Sequence, residues 1–141
     1  MDPKKHALKT LLDQLPSPLF DCTLLWDCFE VMDIDDAIAT VSELIALYLD
    51  DAVVHRDRIQ TAIAQKDGDQ LRRAAHTLKS SSRSLGAAAL GDLCEILEEH
   101  AIANRLTLAS LQRNRLEQLF DQSLTILAKL HREIAQHQSP P

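Results

Sequence analysis

Glycine is scarce in this sequence, at 3 residues among 141, and aromatic residues make up only 4%. Ala and Leu dominate in their place, which reads as helices rather than strands. Basic charge is also in deficit. Fifteen Lys and Arg against 21 Asp and Glu leave a formal net charge of −6, which argues against free nucleic acid as a partner, because phosphate binding needs a broad basic surface. No apolar run reaches the roughly 18 residues of a membrane span, and no charged-then-apolar leader opens the chain, so neither a span nor a secretory signal is expected. Cysteine is limited to Cys22, Cys28 and Cys94, an odd number without metal-like spacing. Reduced thiols in a cytoplasmic compartment are the simplest reading. With 45% hydrophobic residues, the chain is long and apolar enough for one compact domain with a real core.

The most informative stretch is residues 71–86, LRRAAHTLKSSSRSLG. Wound as a helix at about 100° per residue, it places Leu71, Ala74, Ala75, Leu78, Ser82 and Leu85 within an arc of roughly 100°. Arg72, Arg73, His76, Lys79, Ser80 and Arg83 fall on the opposite face. A lone helical histidine is ordinarily solvated surface. Here the buried stripe turns His76 outward, and four cations gather on its face in an acidic chain. Those cations disfavour protonation of the ring, which keeps a neutral imidazole nucleophile available near pH 7. Small residues follow: Ser80, Ser81 and Ser82, then Gly86 and Ala87. They allow another backbone to come close.

His76-Thr77-Leu78-Lys79-Ser80-Ser81, followed by Leu85-Gly86-Ala87, resembles the histidine-containing phosphotransfer (HPt) domain family, with its pattern H-x-L-K-G-[SA] and a later [LV]-G-A. The resemblance runs from about Asp35 to Glu99, and Arg72-Arg73-Ala74-Ala75 fits it too. Ser80 departs from the pattern, standing where glycine is usual. The resemblance implies a phosphocarrier without its own ATP site that takes a phosphoryl group on His76 from a receiver-domain aspartate and passes it to another. Lys79 would attract the phosphate. Arg72, Arg73, Ser80 and Arg83 would meet the partner, and Gly86 would serve packing and close approach. The implied partners are response-regulator receiver domains, including that of a hybrid histidine kinase. No cofactor is expected in this chain; Mg²⁺ belongs to the receiver. A cytoplasmic monomer is expected.

The rest of the chain predicts an all-α fold: an antiparallel up-down four-helix bundle (35–137) after a short N-terminal helical extension (1–34), with a frayed tail (138–141). Short helices are expected at 5–15 and 19–31, separated by Pro16-Ser17-Pro18. A long helix, 35–65, starts at the Asp33–Asp36 cluster, and Gly68 suits its left-handed end with Asp69 capping the next helix. Helices at 69–84, 88–103 and 107–136 complete the bundle. Trp26 and Tyr48 read as core. Glu98-Glu99 reads as a solvated face, and His6, His55, His100, His131 and His137 read as solvated or edge residues. A histidine-kinase dimerisation bundle competes weakly, since Thr77 follows His76 and no proline lies in the helix. A di-iron bundle lacks its paired Glu-x-x-His motifs. A purely structural interaction bundle is the remaining alternative.

Overall fold

A computed structural model of the chain describes residues 2–138. Among these residues there are seven helices and no strand: α1 (Pro3–Asp13), α2 (Thr23–Val31), α3 (Ile34–Gln65), α4 (Gly68–Ser84), α5 (Ala88–Ile102), α6 (Leu106–Ser110) and α7 (Arg113–Ala135). Of the expected tail at 138–141, residues 139–141 lie outside the described residues.

Helices α3, α4, α5 and α7 form a closed ring of neighbours, each packed on the next. Cross-helix contacts fix their directions. Tyr48 of α3 meets Ser82 of α4, and the groove further along α3 pairs His55 with the earlier Thr77. Between α4 and α5, Lys79 reaches Glu98 whereas the later Arg83 reaches the earlier Glu95. Between α3 and α7, Arg56 meets Glu117 and Gln60 meets Arg113. Residue numbers rise on one helix as they fall on its neighbour, so each of these pairs is antiparallel. This is the geometry that short connections impose on a helical bundle.

The core follows from the helical periodicity. Ile38, Val41, Ile45, Tyr48, Ala52, Ile59, Ala62 and Ile63 of α3 are buried, as are Leu116, Leu119, Phe120, Ser123, Leu127, Leu130 and Ile134 of α7. On α4 the whole expected stripe from Leu71 to Leu85 is buried, including Ser82. Ser82 keeps its place among apolar neighbours because its hydroxyl shares a 2.7 Å hydrogen bond with the Tyr48 hydroxyl. Such a bond contributes about 1 kcal/mol net, and leaving either group unpaired would cost more. Burial pushes the Tyr48 phenol up to about 12. The extension does not stand apart, since Leu8, Leu12, Phe20, Leu25 and Phe29 join the same core.

Four sequence expectations are corrected. The helix expected at 19–31 begins only at Thr23, because Asp21 accepts from both the Thr23 N–H and hydroxyl and holds the preceding residues in a turn. The left-handed residue ending α3 is Lys66 (φ 56°), not Gly68. Asp67, not Asp69, caps α4 by accepting from the Gln70 N–H, and Gly68 is already helical. The helix expected at 107–136 is two. After α6, Leu111 and Gln112 donate back to Leu108 and Ala109 in a tightened turn, and α7 starts afresh at Arg113. Finally, the backbone that comes close at Gly86 is the chain's own. Gly86 has φ +87°, and a Cβ there would lie 2.9 Å from the Asp21 carbonyl oxygen and 3.0 Å from the Cys22 sulfur. The segment before α2 crosses this corner, with the Asp21 N–H donating to the Gly86 carbonyl at 2.8 Å. It also completes α5, whose N-cap, Ala87, has no side chain able to cap. The Leu19 carbonyl instead accepts from the free Ala89 N–H.

Candidate functional site

His76 sits midway along α4 on the face opposite the buried stripe, with 59% of its side chain exposed. Its environment differs from the expected ring of cations. The charged group in contact with Nδ1 is a carboxylate, Oε2 of Glu98 at 2.6 Å. The second oxygen of the same carboxylate, Oε1, accepts from Lys79 Nζ, also at 2.6 Å. Glu98 is therefore not part of a solvated face. Only 13% of its side chain is exposed, and 16% of that of Lys79. Lys79 lies at the edge of the α4 stripe facing α5, so its stem runs along that helix while its ammonium reaches the carboxylate.

Burial pulls the Glu98 carboxyl upward, but the hydrogen bonds from Lys79 and His76, with their charges, outweigh it and hold the group below the ordinary glutamate range. Glu98 is thus an ionised, acceptor-only partner at neutral pH. The Nδ1–H of His76 must donate to it, so in the neutral ring the lone pair lies on Nε2, at the far edge.

The other candidate residues are held apart from this trio. Arg72 and Arg73 both pair with Asp69 one turn earlier, at 3.2 and 3.0 Å. Arg83 turns toward α5, where Asp92 (2.9 Å) and Glu95 (3.0 Å) hold it. Ser80 is exposed one turn after His76. Gly86 is buried at the corner described above. On the α3 side, an apolar groove of about 420 Å³ runs beside the His76 face, lined among others by Leu25, Leu44, Leu47, Thr77 and Ser81. Leu44 and Leu47 are 45% and 54% exposed. Among the described residues no group of three His, Cys, Asp or Glu side chains is placed to hold a metal ion, and no helix is long and apolar enough to cross a membrane.

Glu98 is the residue that sequence reasoning missed. A signal was available: α4 and α5 form a hairpin about Gly86, and counting outward from that corner brings position 98 level with His76 and Lys79. Leu97 and Ala101 are buried beside it, so Glu98 stands at the edge of a buried stripe and not at the centre of a solvent face.

Residues 43–126 match the sequence model of the family described as Hpt domain. The chain belongs to the Hpt domain family. Within the sensor protein TorS of Escherichia coli K12, a stretch is 34% identical to this Hpt domain over 74 residues. The match covers 52% of the present chain and 8% of that sensor. Two solved structures share the fold. Histidine-containing phosphotransfer protein B (HptB) of Pseudomonas aeruginosa PAO1 superposes with a TM-score of 0.72 at 24% identity, covering 84% of this chain and 98% of that one. The histidine-containing phosphotransfer protein MtHPt2 of Medicago truncatula gives a TM-score of 0.66 at 21% identity, over 99% and 98% of the two chains.

Proposed function

We propose that this Hpt domain carries a phosphoryl group on Nε2 of His76 between receiver-domain aspartates of a two-component phosphorelay. Hpt domains are phosphocarrier modules and not enzymes in the ordinary sense. The observation that carries the assignment to His76 is its combination of exposure with a Nδ1 already committed to Glu98, which leaves Nε2 as the nitrogen available to a partner. Phosphoryl transfer asks little of the protein beyond in-line positioning and charge compensation. In this reading Lys79 neutralises Glu98, so that the incoming phosphate meets no uncompensated anion. The receiver supplies the aspartate and Mg²⁺, and this chain has no ATP site of its own.

The receiver approaches over Ser80 and across the apolar groove between α3 and α4, which offers surface to bury beside a polar reaction centre. Arg72 and Arg73 border the other end of that approach and favour an acidic partner. Incubation with a panel of phosphorylated receivers tests the reading. One of them is expected to lose its label to the wild type and not to His76→Gln. Label persisting on a folded His76→Gln protein would overturn the assignment. Ser80→Leu is expected to keep the fold and block transfer by steric clash, whereas Ser80→Gly leaves transfer equal or faster.

A further inference from the structure

We propose that the Ser80 hydroxyl, one turn after His76, donates a hydrogen bond to the phosphoryl group carried on Nε2 and so sets how long the phosphate is held. This rests on the reading of His76 as the phosphoryl acceptor. It assigns a role to the residue at which the chain departs from the family pattern.

Five side chains of α4 carry a hydroxyl: Thr77, Ser80, Ser81, Ser82 and Ser84. Four of them are engaged. Thr77 donates to the Arg73 carbonyl (3.0 Å), Ser81 to that of Thr77 (3.1 Å) and Ser84 to that of Ser80 (2.9 Å), each one turn back along the helix. Ser82 is buried against the Tyr48 hydroxyl. Ser80 is exposed, and among the described residues its hydroxyl meets no partner. The other donors of its face are committed as well. Lys79 and the Nδ1–H of His76 go to Glu98, Arg72 and Arg73 to Asp69, and Arg83 to Asp92 and Glu95. Of the six residues on the His76 face, Ser80 is therefore the one whose side-chain donor lacks an acceptor.

Side chains four apart on a helix are neighbours, with Cβ atoms about 5–6 Å from each other. Helical side chains also lean toward the N-terminus, so the Ser80 hydroxyl leans over the turn that holds His76. A phosphoryl group on Nε2 brings three acceptor oxygens to that place, and a hydrogen bond to a charged acceptor is stronger than one between neutral groups. In the charging step the Nε2 lone pair forms the N–P bond, the P–O bond to the donor aspartate breaks, and that carboxylate leaves with the electron pair. The Ser80 O–H turns to the arriving oxygens and neither gains nor loses its proton. Discharge passes through a loose, metaphosphate-like transition state, in which those oxygens carry less charge than in the phosphoramidate. A donor aimed at them therefore holds the charged carrier more tightly than the transition state. Loss of the hydroxyl speeds discharge, to water or to a receiver, and leaves less phosphate on His76 at equilibrium. Glycine, usual at this position, has no donor to offer.

Chemical phosphorylation of the whole chain with phosphoramidate, which needs no receiver, isolates this contact from docking. Loss of phosphohistidine is then followed by phosphorus NMR at one slightly alkaline pH. Ser80→Ala keeps the Cβ and favours the helix, so the fold is retained. It is expected to lose its label about three- to tenfold faster than the wild type, the effect of one net hydrogen bond. Ser80→Thr, which restores the hydroxyl, is expected to return the wild-type rate. The phosphorus resonance is expected to move in Ser80→Ala and to return in Ser80→Thr, a signature that a change in helix stability alone does not produce. Equal or slower decay in Ser80→Ala would overturn the proposal. Decay of Ser80→Thr as fast as that of Ser80→Ala would overturn it as well. Label on a folded His76→Gln protein would instead refute the acceptor reading, a separate outcome.

Discussion

Two clusters of charge bridge α4 to α5. In the inner one, Lys79 and His76 share the single carboxylate of Glu98, and the two ionic side chains are 16% and 13% exposed. In the outer one, Arg83 lies between Asp92 and Glu95, whose side chains are 70% and 44% exposed, and its own is 36% exposed. Both join basic side chains of α4 to carboxylates of α5. The difference lies in shelter and in spare capacity: the inner cluster has an imidazole as its third member, with one nitrogen still to offer, whereas the outer one closes on itself. Charge pairs in water are worth little because solvent screens them and ordering long side chains costs entropy. A sheltered carboxylate with both oxygens engaged instead controls which nitrogen of its neighbour carries hydrogen. The family motif marks His76 and Lys79, yet their geometry is set by a residue that the motif omits.

The comparison breaks most sharply at Glu98. Removing it in Glu98→Ala strands the sheltered Lys79 ammonium and the His76 N–H, at an expected cost of about 1–3 kcal/mol in unfolding by denaturant. Arg83→Ala is expected to cost no more than about 1 kcal/mol, because its partners are exposed. Equal losses from the two variants would erase the distinction between the clusters.

Acid sharpens it next. Glu98 titrates below the ordinary glutamate value once folded, so its contribution is present above that ordinary value of about 4.3 and is lost as pH falls through the lowered folded value. The gap in thermal midpoint between the wild type and Glu98→Gln is therefore expected to be constant near neutrality and to close below about pH 4. A gap that widens in acid would contradict the pairing.

The smallest expected effect is at Gly91, over which Arg83 crosses. A Cβ there would lie 2.6 Å from Arg83 Cγ. That neighbour is a flexible side chain, and alanine gains about 0.5–1 kcal/mol over glycine inside a helix. Gly91→Ala is expected to displace Arg83 from Asp92 and Glu95 and still leave stability within about 0.5 kcal/mol of wild type or slightly higher, the displaced pairs being worth as little as Arg83→Ala costs. A loss well beyond that would show that the outer cluster contributes more than its exposure allows.

Much of this was legible in the residue order alone. Periodicity placed the stripes of α3, α4 and α7, because burying one face of a helix forces apolar side chains to recur every three or four positions. The same arithmetic turned His76 outward, and the string from His76 to Ala87 carried the family resemblance. Local boundaries were read less well. Gly68 looked like the end of α3, yet Lys66 adopts the left-handed conformation because Asp67 is needed as the next cap. The turn at Leu111 and Gln112 carries neither glycine nor proline to mark it.

What the sequence by itself determined is therefore the helical fold and the outward face of His76, since both depend on spacing within one helix. What only the tertiary structure decided is what touches that face. Glu98 lies 22 positions from His76 in the chain, and Asp21 lies far from Gly86. Each of these contacts depends on the angle and register at which separate elements pack. Spacing along one helix does not encode that register; it follows from how all the buried stripes fill a common core.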